Sequence, residues 1–196
     1  PNTDNLIYDL SNNSMHFVGV ESITISKKNN IIVYPKNGKV ELNKNRSVKL
    51  LGDISVGNFD FNGVKLHFDY ETYLIDLIEI DTLRMMTKNN SKDSYNYLFN
   101  IGGDLFINHP KNKSSRRDLP KFPSFISKKS TKVYFDLPEE YGEEYDSSFY
   151  FSIDQFQIDS LDKSSLPKFE FPGTFFSNKI FEPIETNLVT MPDNSL

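Results

Sequence analysis

The stretch Asn58-Phe59-Asp60-Phe61-Asn62-Gly63-Val64-Lys65-Leu66-His67-Phe68-Asp69-Tyr70 decides the fold. Phe59 and Phe61 alternate with Asn58 and Asp60, and Val64, Leu66, Phe68 and Tyr70 alternate with Lys65, His67 and Asp69. Alternation with period 2 sends successive side chains to opposite faces, so each run reads as a strand with one face on a core and one in water. Between the runs stands Asn62-Gly63, whose residues both tolerate positive φ, and the pair predicts a two-residue hairpin turn. Asn37-Gly38 is a second pair of the same kind.

Outward from this stretch the same period recurs over 22–26, 39–43 and 47–50, and again at Leu105-Phe106-Ile107, Val133-Tyr134-Phe135, Phe149-Tyr150-Phe151 and Lys168-Phe169-Glu170-Phe171. Tyr95, Tyr97, Phe99 and Ile101 are expected on one face of a further strand. The apolar phase of these runs predicts a core of Phe17, Ile23, Ile25, Val40, Leu42, Phe59, Phe61, Leu66, Phe68, Ile75, Phe99, Phe135, Phe151 and Ile158. Capped stripes at i, i+3, i+4 and i+7 are nearly absent, so the class is all-β with almost no helix. Two architectures fit, a solenoid-like stack of strands or a β-sandwich. An echo favours the first: Phe68, Tyr73, Ile75 and Asp76 return as Phe151, Phe156, Ile158 and Asp159. If the echo is architectural, both copies form the same strand pair.

The 196 residues carry 22 Lys or Arg against 27 Asp or Glu, a net charge of −5. With 17 Phe and 10 Tyr there is enough ring surface for a core, which excludes disorder over most of the chain. No stretch approaches the roughly 18 to 20 apolar residues of a spanning helix, so no membrane insertion of this segment is expected. The absence of Cys excludes disulfide scaffolds, thiolate zinc sites and cysteine nucleophiles. Charge is segregated, with eight Lys or Arg and one acid over 110–132 and nine acids without a base over 136–162. Pro110, Pro120 and Pro123 punctuate the basic part, which reads as a loop lying across the acidic segment. The expected organisation is a first β region over 1–109, the basic loop over 110–132, and a second β region over 133–196 packed on the first as one domain. A chain that starts at Pro1 and stops at Leu196 behind a polar run is expected to be a piece of something longer.

Candidate chemistry is sparse. Basic residues interleaved with Phe122 and Phe125 fit a phosphate backbone in type, but an acidic chain with a strongly acidic neighbouring segment argues against nucleic acid. The run over 136–146 offers carboxylates for a loose Ca²⁺ site or a charged exposed turn, and it lacks the EF-hand spacing. Pairs such as Asp76 with Glu79 or Asp69 with Glu71 are what a glycoside hydrolase needs in type, yet strand-face acids are ordinarily a solvent side. His16, His67 and His109 are scattered, and neither Gly-x-Ser-x-Gly nor a phosphate-binding loop is present. No catalytic residue, cofactor or metal ligand is therefore assigned. Exposed rings suit sugar stacking, and Tyr141, Tyr145 and Tyr150 are the candidate ligand contacts.

Several segments together carry a resemblance. They are Tyr8-Asp9-Leu10-Ser11, Asn13-Ser14-Met15-His16-Phe17-Val18-Gly19-Val20-Glu21-Ser22-Ile23, Ile32-Val33-Tyr34-Pro35 with Gly38-Lys39-Val40, the run over 149–161, and 169–176 with Ile180-Phe181 and Pro192-Asp193-Asn194-Ser195-Leu196. These resemble stretches of very large, uncharacterised β-rich proteins of the bacterial cell envelope. The resemblance implies part of a long exported or surface-associated β protein, located in the cell envelope or outside the cell, whose partners are other domains of its own chain or envelope proteins. Its motifs are strand and turn motifs and bring no catalytic residue with them. The function expected is a non-catalytic structural or interaction module, with a glycan-binding β-sandwich as the alternative.

Overall fold

A computed structural model describes residues 5–86, 95–134, 148–163 and 168–191. Fifteen strands follow in order: β1 Leu6–Asp9, β2 Ser14–Phe17, β3 Ile23–Ser26, β4 Ile31–Pro35, β5 Val40–Leu42, β6 Val48–Val56, β7 Phe59–Asp69, β8 Leu74–Met86, β9 Tyr95–Phe106, β10 Ser124–Ser127, β11 Thr131–Tyr134, β12 Phe149–Ile153, β13 Gln157–Asp159, β14 Glu170–Ser177 and β15 Ile184–Val189. They form two antiparallel sheets. The first has eleven strands in the order β1-β2-β5-β6-β7-β8-β9-β10-β13, with β4 and then β3 branching from β6, and the second runs β11-β12-β14-β15. The all-β class follows from the alternation, and the architecture is sandwich-like.

The solenoid-like reading is corrected by the path of the echo. Phe68 pairs directly with Ile75 across the β7–β8 hairpin. The second copy forms no hairpin, because β12 belongs to the second sheet and β13 pairs with β10 in the first. Phe151, Phe156 and Ile158 are buried like Phe68, Tyr73 and Ile75 because both segments border the core, not because they repeat a unit.

Asn62-Gly63 is likewise not a turn. β7 runs through it, and two residues there oppose the single Asp53 of β6, since Gly52 pairs with Val64 and Ile54 with Phe61. This is a β-bulge, with Gly63 at φ 67 and its amide donating to Asp53 Oδ1 at 2.8 Å. A bulge and a hairpin both recruit a glycine at positive φ, which is why the pair misleads. The actual β6–β7 turn is Gly57-Asn58, with Val56 paired to Phe59 and Gly57 at φ 58. Asn37-Gly38 lies in a 3₁₀ turn linking β4 to β5, strands that do not pair with each other.

The phase of burial is also reset, at register shifts beside Phe61–Val64 and Leu77–Ile80 and without one where Ile80 and Leu83 face Ile101 and Leu98. Inward positions step by three at Phe61 to Val64, Leu77 to Ile80, Ile80 to Leu83 and Leu98 to Ile101. The expected placement of Tyr97 and Phe99 beside Ile101 is therefore corrected. Asn100 sits at φ 54, Leu98 takes the inward position, and Phe99 is 45% exposed. Phe135, also expected in the core, lies outside the described residues. The remaining predicted core positions are buried or half-buried, and Phe17, Ile23, Ile25 and Leu42 are among the half-buried ones.

A chain of rings holds the sheets together. Phe61 meets Phe125 at 5.2 Å, Phe125 meets Phe156 at 6.0 Å, Phe156 meets Phe171 at 5.1 Å, and Phe169 stands 6.0 Å from Phe59. Phe125 comes from the stretch expected to be a loop. That stretch contains β10, which pairs with β9 and β13. Its first part closes on buried Asn112, whose Nδ2 donates to Asn108 Oδ1 and to the Arg117 carbonyl, both at 3.0 Å. Its lysines reach carboxylates of the first region: Lys113 pairs with Glu71 at 3.8 Å, and Lys128 pairs with Asp76 and Asp104.

Two stability measurements test this account. Gly63→Ala should lose about 2 kcal/mol in urea unfolding, because a side chain at positive φ is strained and its Cβ would stand 1.9 Å from Asp81 Oδ2. Gly19→Ala, also at positive φ but with open space, should lose less. Phe125→Ala should cost about 3 to 5 kcal/mol, and an unchanged melting temperature would place Phe125 outside the inter-sheet core.

Candidate functional site

Tyr150 is the sequence-derived candidate that the described residues include, since Tyr141, Tyr145 and the acidic run over 136–146 lie outside them. It sits on the outer face of the second sheet, where the register aligns Tyr134, Tyr150 and Phe176 across β11, β12 and β14. Phe176 stacks on Tyr150 at 4.8 Å with planes 20° apart, and Lys132 Nζ stands 4.0 Å from the Tyr150 ring centre. Lys132 comes from the strand on one side and Phe176 from the strand on the other, so each occupies one face of the ring. Sugar stacking needs an open face. What Tyr150 offers outward is its ring edge and hydroxyl, beside a shallow cavity of about 330 Å³ bordered by Phe176, Asn178, Lys179, Phe181 and Glu182.

The scattered histidines keep local roles. His16 Nε2 lies 3.0 Å from the Ser14 hydroxyl, and His109 Nδ1 accepts from the Lys111 amide at 3.1 Å to cap a 3₁₀ turn. His67 stands on β7 between Lys49 and Asp76 of the neighbouring strands. Of the acid pairs, Asp69 Oδ1 accepts from the Glu71 amide at 2.8 Å, which stabilises the carboxylate and lowers its pKa from the usual value.

A different pair of acids meets a base. Asp76 and Asp104 are directly opposed on β8 and β9, an arrangement that repels when both are charged. Lys128, from the turn after β10, sets its ammonium 3.3 Å from Asp76 and 2.6 Å from Asp104. The bond to Asp104 is the main cause of a raised lysine pKa. This trio pins the β10–β11 turn onto the long hairpin.

Sequence reasoning missed the concave feature of the first sheet. β6 pairs with β5 through Val48 and Lys49 and with β4 from Gly52 onward, so the sheet forks into two arms. Gly52 stands at the fork, where a Cβ would lie 2.2 Å from the Tyr34 carbonyl oxygen. Between the arms lies a cavity of about 390 Å³ lined by Phe17, Val20, Ile23, Ile25, Val33, Val40, Leu42, Val48, Leu50, Leu66, Phe68 and Ile75. Every one of these side chains is hydrocarbon. Most were legible as apolar and were assigned to a filled core, since alternation specifies a buried face without saying what fills the space above it.

The sheets also end on open edges. β1 pairs only with β2, and β15 only with β14, among the described residues. Beside these edges Ile7 is 54% exposed, Leu10 80%, Phe181 59% and Ile184 47%.

No family model, no curated protein and no solved structure matches this chain.

Lys128→Met should lower stability at neutral pH by about 1 kcal/mol, and adding Asp104→Asn should restore part of the loss by removing the repulsion. Because the folded pKa is raised, the lysine's contribution is complete below its ordinary value of 10.5 and is lost as pH rises through the folded value. Thermal melts above pH 10.5 should therefore bring the wild type toward Lys128→Met.

Proposed function

We propose that this chain is a non-catalytic interaction module of a larger envelope or exported β protein, joined to neighbouring β segments by strand addition at its open edges. One observation carries the reading: among the described residues β1 and β15 are paired on one side only, beside exposed apolar side chains. Edges of soluble sheets are ordinarily blunted with lysine or proline, and neither Leu6–Asp9 nor Ile184–Val189 contains either residue. An edge of this kind binds another strand through main-chain hydrogen bonds, with the apolar side chains adding buried area. The partners are other segments of the same longer chain or envelope proteins of similar build. Glycan binding at Tyr150 stands behind this reading, since both faces of that ring are occupied.

Main-chain pairing is tolerant of sequence, so a second copy of the chain serves as a surrogate partner at high concentration. Sedimentation velocity over a concentration series should show reversible self-association. Ile7→Lys combined with Ile184→Lys should abolish it while leaving the melting temperature unchanged. A wild type that stays monomeric throughout, or association unaltered in the double variant, would overturn the proposal.

A further inference from the structure

We infer that the cavity between the two arms of the first sheet is a binding site for one aliphatic chain, the hydrocarbon part of a fatty acid or lipid. Three observations carry this. The volume of about 390 Å³ lies within the roughly 300 to 1,000 Å³ of small-molecule sites. Among the described residues the lining has no polar side chain to anchor water, so an ordered aqueous filling has no partners there. Burial varies over the lining: Val33 and Ile75 are fully buried, while Val20, Ile25 and Val48 are half-buried and mark its open side, the mouth. An apolar recess open on one side suits a hydrocarbon chain that keeps its polar group outside.

The walls are fixed in place. The two connections between the arms run together, where the Val20 amide donates to the Gly38 carbonyl at 3.1 Å. A Cβ on Gly38 would stand 2.9 Å from the Val20 nitrogen, so the approach requires glycine. An alkyl chain packs against this lining without having to satisfy any buried polar group.

The test uses isoleucine methyl resonances in the intact chain, titrated separately with dodecanoic acid and with dodecylphosphocholine below its micellar concentration. Either ligand should shift Ile25 and Ile75 saturably with one site, and leave Ile78, which lies on the opposite face of the sheet, unmoved. Response to the acid alone identifies a free fatty acid as the source, and response to the phosphocholine identifies a lipid. Val48→Phe, which fills the mouth, should weaken binding at least tenfold without lowering the melting temperature, and Leu42→Phe serves if that variant misfolds. No response to either ligand, equal shifts at Ile78, or full affinity in a folded mouth-filling variant would overturn the inference. So would concentration-dependent shifts of Ile25 without ligand, because they would put a second copy in the cavity.

Discussion

The packing of Phe125 between Phe61 and Phe156 is the contact on which the architecture rests. Phe61 belongs to the long hairpins of the first sheet, Phe125 to a four-residue strand near its far edge, and Phe156 to the crossing from the second sheet to the first. Neither sheet is covered on its inner face without the other. Rings suit this place because each buries a large area with few rotatable bonds, and their tilted contacts lock the distance between layers. Gly103 marks how close the approach is, since a Cβ there would stand 2.8 Å from two atoms of the Phe125 ring.

Away from this contact the first sheet obeys a different constraint, the reach of β6. A nine-residue strand serves two arms by giving its first part to β5 and its second to β4. The ring-packed end and the forked end thus differ in kind. One is filled by side chains from both sheets, and the other encloses space with side chains from one sheet alone. A single protein thereby carries a ring-filled end and a recessed one.

What the sequence disclosed divides along the same line between local and distant. Phe59, Phe61, Leu66, Phe68 and Ile75 were legible because alternation is local, and their burial needs only that the strand meet a core. Asn62-Gly63 was misread because a hairpin and a bulge make the same demand on glycine, and only the pairing of distant strands separates them. Phe99 fell on the wrong face because Asn100 resets the phase without a glycine or proline to announce it. Phe125 was hidden by its basic, proline-rich surroundings, although Ser124-Phe125-Ile126-Ser127 is enough for a short strand. Tyr150 was legible as an outward ring, but the covering of its faces by Lys132 and Phe176 depends on register. The fork was out of reach, since Gly52 marks a close approach within β6 without saying that the strand's partner changes there.

The order of strands also governs assembly in time. β13, at residues 157–159, completes the edge of the first sheet only after the chain has laid down β12 in the second. As the chain leaves a ribosome, β10 holds an unfilled edge until about thirty further residues have emerged. The sheets are consequently interlaced along the chain, and no single cut between β10 and β13 separates them into halves that each keep a full set of strands. Dissection at the boundary between the two sheets would take the last strand from one with the body of the other.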